Sequence, residues 1–185
     1  MVSENRVDPW GRKFATKERG YFMGNRSDSK AWITCSLRDP DGAATSEPVG
    51  YQKLFFLDEA TALAAGYRPC GQCRTKDYRV FVAFWKAGAD TPLDATLRKE
   101  MAEHAAGRYE SMRADRLPAG AMFERDGDAY LAWQRLAYRW SPGGYTVAEL
   151  LQPIGKVKVL TPPSTVAVLE RGYRPWVHPS VLRHS

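Results

Sequence analysis

The sequence predicts an α+β fold, in which a helical middle section precedes a run of short antiparallel strands. Three helical patterns with recognisable starts and stops lie between positions 58 and 107. From position 117 the pattern changes to short apolar segments separated by turn sequences, and Arg125-Asp126-Gly127-Asp128 has Asp-Gly at the tip of a predicted hairpin. Helices and antiparallel strands that are segregated along the chain are typical of α+β proteins.

The helices are predicted from their caps and from the spacing of apolar residues. Asp58 can cap a first helix that Gly66 ends. A second helix starts at Thr75, and a third starts at Thr91-Pro92-Leu93-Asp94, with Thr91 as its cap and proline at its first position. The apolar positions of the three patterns are Ala60, Leu63 and Ala64, then Tyr78, Phe81, Val82 and Trp85, then Leu93, Leu97, Met101 and His104.

Short strands are expected on both sides of these helices. Each combines β-branched or aromatic residues with flanking turn signals. The predicted strands cover positions 21–23, 32–34, 51–57, 122–124, 129–133, 136–140 and 157–160.

Composition limits the classes of function. The 185 residues include 27 Lys and Arg against 21 Asp and Glu, and the resulting net charge of +6 favours polyanionic partners such as nucleic acid. No apolar run approaches the ~20 residues that a membrane helix needs. No apolar segment follows Met1, so a secretory signal is not expected and the expected compartment is the cytoplasm.

The cysteines carry the strongest chemical signal. An odd total of three argues against a disulfide framework. Cys70-Gly71-Gln72-Cys73 puts two thiols on one tight turn, as in a zinc knuckle, and the flanking Arg68 and Arg74 favour ionised thiols. Buried thiols without a ligand and a thioredoxin-type redox pair are the two alternatives, although a redox pair normally follows a strand, whereas a helix comes before this one.

The segment from Phe55 to Cys73 also carries a family resemblance. A strand, an Ala-rich helix and then Gly-Tyr-Arg-Pro-Cys-x-x-Cys resemble the second half of the Ada N-terminal metal-binding domain, and the likeness extends over about residues 21–78. That family repairs methyl phosphotriesters in DNA. Its four cysteines hold zinc, and one cysteine of the first pair accepts the methyl group.

The resemblance implies a particular ligand set for this chain. Only Cys35 occupies the region of the family's first cysteine pair, and Asp39 stands where the partner cysteine would be. A zinc site of Cys35, Asp39, Cys70 and Cys73 is therefore implied, with Cys35 as the candidate reactive thiol. Carboxylate in place of thiolate lowers the negative charge of the site and so the nucleophilicity of its thiols. Water in the fourth position is the alternative, and it would make the zinc catalytic.

Other residues are candidates around this site. His104 lies on the apolar side of the third helix, where it is either a core residue or a missing ligand or general base. Polar and basic residues near the site can form a rim suited to phosphate oxygens: Asn25, Arg26, Arg38, Arg68, Arg74 and Lys76.

Three functional hypotheses follow. The first is a zinc protein whose Ada-like module contacts DNA phosphates. The second is a zinc-dependent hydrolase or nuclease acting on an anionic substrate, and the third is a structural zinc knuckle in a protein-interaction module. The predicted organisation is an arm over 1–20, the Ada-like module over 21–90, and a helix with an antiparallel β region over 91–185 that packs against the module.

Overall fold

The computed structural model describes residues 4–26, 31–35, 52–88 and 91–183. These residues form four α-helices and two six-stranded sheets, which confirms the predicted α+β class. The helices are α1 (Glu59–Ala64), α2 (Thr75–Lys86), α3 (Leu93–Ala105) and α4 (Pro163–Glu170). The strands are β1 (Glu4–Val7), β2 (Lys13–Thr16), β3 (Phe22–Arg26), β4 (Ile33–Cys35), β5 (Gln52–Phe56), β6 (Arg68–Pro69), β7 (Ser111–Arg113), β8 (Met122–Arg125), β9 (Asp128–Trp133), β10 (Leu136–Ser141), β11 (Gly144–Leu150) and β12 (Lys156–Val159).

The first sheet has the strand order β2-β1-β5-β3-β4-β6. Residues 1–20 were expected to form an arm, but β1 and β2 pair as a hairpin and β1 runs parallel to β5, with Arg6 opposite Phe55. Arg6 is fully buried, and its guanidinium donates to the backbone carbonyls of Glu18 and Pro142. A charged side chain that donates to backbone carbonyls can enter a core, so the polar sequence of this segment does not exclude it from the sheet.

The second sheet has the order β11-β10-β9-β8-β12-β7. The predicted hairpin is confirmed: β8 and β9 are joined by Asp126 and Gly127, which both have positive φ angles as a type I′ turn requires. The sequence predicts a turn at Ser141-Pro142-Gly143-Gly144, and in the structure this turn leads directly into β11, which was not predicted.

Helix α1 lies buried and contacts strands of both sheets. All six of its residues are buried, and the Asp58 side chain accepts a hydrogen bond from the Thr61 backbone N–H at 2.8 Å, so the predicted cap is confirmed. The short side chains of this Ala-rich helix allow close packing on several sides. Ala60 packs against the second sheet, and Ala62 packs against residues of β1 and β5.

Helices α2 and α3 bury the faces that their apolar spacing predicts. Phe81 and Trp85 are buried on α2, and Leu97 and Met101 on α3. The cap predicted at Thr91 is wrong by one position: Pro92 is the N-cap residue of α3 and makes no side-chain capping bond. Within the described ranges, no helix combines the length and apolar character needed to cross a bilayer.

Candidate metal centre

The three cysteines meet where two strands of the first sheet run side by side. Strands β4 and β6 are parallel, with Thr34 opposite Pro69, so that Cys35 and Cys70 follow at the same end. The Cys70 backbone N–H donates to the Thr34 carbonyl at 2.9 Å and fixes this register. The Sγ atoms of Cys35, Cys70 and Cys73 all lie within 4.8 Å of one another.

The turn between Cys70 and Cys73 is built as the spacing predicts. The Gln72 backbone N–H points at the Cys70 sulfur at 3.4 Å, and the Arg74 N–H donates to the Cys70 carbonyl at 3.1 Å. A Cβ atom on Gly71 would lie 3.3 Å from the ring of Tyr78, so glycine lets the turn pack closely on α2.

The three thiols are electrostatically coupled. Hydrogen bonds from the Cys35 and Cys73 thiols lower the pKa of Cys70 far below its ordinary value, and hydrogen bonds to Cys70 and Cys73, together with burial, raise the pKa of Cys35. Metal binding to such a cluster replaces the protons of its thiols, because the thiolate is the ligand. Tetrahedral coordination with Zn–S bonds near 2.3 Å places sulfurs about 3.8 Å apart, which this cluster can satisfy. The cluster can therefore hold a metal ion.

The described residues of the cluster offer three ligand atoms, all of them thiol sulfurs. Asp39 and Arg38 lie outside the residues that the structure describes. Among those it does describe, no histidine or carboxylate joins the three thiols. His104 is buried on α3 and stacks on Tyr109 with ring centroids 4.4 Å apart, and burial lowers its pKa. The structure thus places His104 as a packed aromatic residue, while a catalytic role for it stays a prediction.

The predicted basic rim divides into buried and exposed residues. Arg68 pairs with Asp94 at 2.8 Å, and both it and Arg74 have largely buried side chains. Arg26 stacks on Trp32, with its guanidinium carbon 4.1 Å from the ring centroid. Lys76 is exposed on the first turn of α2. Asn25 takes part in β3 through its backbone, opposite Ile33 and Lys53.

Arg74 belongs to a buried polar network that was not predicted. Its guanidinium donates to Glu59 at 2.7 Å and to the Thr34 hydroxyl at 2.8 Å, so it joins α1 to β4. Glu59 is 2% exposed and also accepts from the Tyr173 hydroxyl at 2.6 Å and from the Trp176 backbone N–H at 2.9 Å. The network holds the segment after α4 against Arg74, which directly follows Cys73 in the chain.

One signal in the sequence pointed to this segment. Gly66-Tyr67-Arg68-Pro69 is repeated as Gly172-Tyr173-Arg174-Pro175, and both copies follow a helix. Both glycines have positive φ angles, as helix ends favour. The common use of glycine at helix ends explains the repeat, but the repeat does not reveal that Tyr173 binds Glu59.

No family model, no curated protein and no solved structure matches this chain. The resemblance of Phe55 to Cys73 to the Ada metal-binding domain is therefore a prediction that rests on the motif. The convergence of the three thiols is a separate observation, because it comes from the geometry of β4, β6 and the turn before α2.

Proposed function

We propose that this protein binds zinc through its cysteine cluster and that the Ada-like module around the cluster contacts DNA phosphates. The observation that carries the proposal is the convergence of Cys35, Cys70 and Cys73 within 4.8 Å. Thiolates are the preferred ligands of zinc in closed structural sites, and Asp39 or water completes the coordination.

Exposed cations beside the cluster support the contact with phosphate. Helix α2 begins two residues after Cys73, and its first two turns present Lys76 and Arg79 to solvent. Neither side chain has an ion-pair partner among the described residues. The net charge of +6 acts in the same direction. Arg68 and Arg74, by contrast, are held in ion pairs, and in this proposal they position α2 rather than bind phosphate.

The described residues support the hydrolase hypothesis less well than they support a zinc site that contacts DNA phosphates. A hydrolytic zinc site needs a general base within hydrogen-bond reach of the attacking water. Among the described residues, no histidine or carboxylate belongs to the cluster, and His104 stacks on Tyr109.

Metal analysis tests the first half of the proposal. We expect about one zinc per chain in protein purified without added metal, and loss of that zinc in Cys35→Ser and Cys70→Ser. Asp39→Ala distinguishes the two fourth ligands, since zinc is lost if the carboxylate binds and kept if water does. Zinc-free wild-type protein that also fails to take up added zinc would refute the metal site.

Salt-dependent DNA binding tests the second half. The double variant Lys76→Ala/Arg79→Ala should bind duplex DNA more weakly and reduce the slope of log K against log salt by about 2, because each lost phosphate contact contributes about 0.9. A matched control removes two other exposed cations, in Arg116→Ala/Lys156→Ala, and should leave the slope unchanged. Equal slopes for the two double variants would show that α2 does not face DNA.

A further inference from the structure

A groove next to the cysteine cluster brings together residues from both ends of the chain. It encloses about 510 Å³ and is lined by residues that include Tyr21, Phe22, Glu59, Arg74, Arg174 and Trp176. Arg74 directly follows Cys73, and Phe22 directly precedes Met23, which packs against Cys35 and Cys70. Two of its lining residues are therefore chain neighbours of residues in or against the cysteine cluster, while three of the eight, Arg174, Pro175 and Trp176, come from the segment after α4.

Exposed aromatic rings form one side of the groove. Tyr21 is 38% exposed and Trp176 is 40% exposed, and they are the only aromatic residues among the exposed large hydrophobic side chains of the described chain. Their ring centroids lie 6.2 Å apart, and Phe22 supports Trp176 from 5.2 Å. Large aromatic side chains left in water on a packed support indicate a binding surface rather than a core.

Three guanidiniums, those of Arg74, Arg174 and Arg19, stand against two carboxylates around the rings, so one positive charge is in excess for an anionic ligand. Both acids of the groove, Glu59 and Asp77, are ion-paired with the single guanidinium of Arg74. Arg174 lines the groove, and the guanidinium of Arg19 lies 5.6 Å from the Tyr21 ring centroid. Both arginines are exposed, and neither has a salt-bridge partner within the described ranges. One nitrogen of Arg174 donates to the carbonyls of Leu169 and Tyr173, which leaves the other donors of its guanidinium for a ligand.

The wall that carries Trp176 is rigid. The Trp176 backbone N–H donates to the Glu59 carboxylate at 2.9 Å, and its carbonyl accepts from the Glu59 N–H at 3.1 Å. The neighbouring Pro175 is buried, and its ring packs against Gly120, where a Cβ atom would come within 2.5 Å. A ring held by a fixed backbone loses little freedom when a ligand stacks on it.

We infer that this groove binds an unpaired base of single-stranded nucleic acid. The base stacks on the exposed rings of Tyr21 and Trp176, and the flanking phosphates lie against Arg174 and Arg19. Aromatic platforms flanked by cations are how proteins hold single strands, because every base offers a π face. In a duplex both faces of each base are already stacked, so the groove discriminates in favour of single strands. The inference rests on the proposed function, which it extends from phosphate contact to the form of the nucleic acid.

The test compares a DNA single strand of about 16 nucleotides with the duplex of the same sequence, by fluorescence anisotropy on the full-length protein. We expect the single strand to bind more tightly than the duplex. Trp176→Ala should weaken single-strand binding about tenfold, which is the usual effect of removing one stacking ring. Trp176→Phe keeps a ring and should bind nearly as well as the wild type, and Arg174→Ala should lower the salt slope by about 1.

Leu150→Ala is the matched control, since Leu150 is 61% exposed and does not line this groove. If Trp176→Ala proves unfolded by circular dichroism, Tyr21→Ser serves as the same test. Single-strand affinity that is unchanged in Trp176→Ala, as in the control, overturns the groove but leaves the proposed function standing if Lys76→Ala/Arg79→Ala still weakens DNA binding. A protein that binds neither form of DNA overturns both. Binding of a proline-rich peptide that depends on Trp176, with DNA affinity unaffected, would assign the groove to a protein partner and overturn the inference.

Discussion

Replacing Glu59 should be among the most destabilising single changes in this protein. Its carboxylate is 2% exposed and accepts from Arg74, Tyr173 and the Trp176 backbone N–H at 2.6–2.9 Å. Removing one partner of a buried ion pair costs about 3–5 kcal/mol, and a hydroxyl left without its acceptor adds about 1–3 kcal/mol. Asp77, at 2.8 Å from Arg74, still neutralises the guanidinium and offsets part of the loss. We expect about 4 kcal/mol for Glu59→Ala and about 2 kcal/mol for Glu59→Gln, which keeps an acceptor but loses the charge.

Urea unfolding followed by circular dichroism measures these losses as changes in the free energy of unfolding. The control is Asp115→Ala, which breaks a pair with Arg113 whose side chain is 56% exposed, and which should leave the free energy of unfolding nearly unchanged because water screens the pair. A loss in Glu59→Ala as small as in the control would refute the reasoning. A double-mutant cycle with Tyr173→Phe should further show coupling of about 1 kcal/mol or more.

Three further predictions concern pH, packing and metal. Burial lowers the pKa of His104, so the stability that this residue contributes is present above its ordinary pKa of 6.5 and is lost as the pH falls. When the pH is lowered from about 7.5 to about 5.5, the His104→Phe variant should therefore lose less free energy of unfolding than the wild type. Equal losses in the two proteins would contradict this prediction. A Cβ atom on Gly24 would lie 2.3 Å from the Phe56 ring, so Gly24→Ala should lower the free energy of unfolding by about 1–3 kcal/mol, as measured in urea. The cost of Gly24→Ala should be smaller when Phe56→Leu is also present. An equal cost in both backgrounds would mean that the overlap with the ring is not its cause. A strong chelator should lower the melting temperature of the wild type but not that of Cys70→Ser, and identical shifts in both would mean that the thiols hold no stabilising metal.

Elements with local signals were predictable from the sequence. Asp58 and Gly66 mark the ends of α1 through capping and left-handed glycine, and both signals depend only on neighbouring residues. The hairpin at Asp126-Gly127 is local in the same way. In the candidate site, the spacing of Cys70 and Cys73 predicts their shared turn, whereas the approach of Cys35 was implied by the family resemblance and depends on the pairing of β4 with β6.

Elements that depend on distant partners were not predictable. Strand β1 is polar, and its place in the sheet depends on its pairing with β5 and on the two carbonyls that accept hydrogen bonds from Arg6. Strand β11 begins at Gly144, in a Pro-Gly-Gly sequence that locally indicates only a turn. Glu59 occupies a position that local rules assign to the acidic first turn of a helix, and nothing near it in the sequence shows that it is buried.

The long sequence separations in the buried network affect the order in which this chain can fold during its synthesis. Asp58 accepts hydrogen bonds from the hydroxyl of Tyr145 and the N–H of His178, which are synthesised 87 and 120 positions later. Glu59 accepts from the hydroxyl of Tyr173, which is synthesised 114 positions later. A nascent chain that has passed Cys73 already has every cysteine but lacks these donors, and carboxylates with only part of their hydrogen bonds resist burial. We therefore expect the thiols to meet metal or oxidant on the ribosome, well before the two sheets can close over α1.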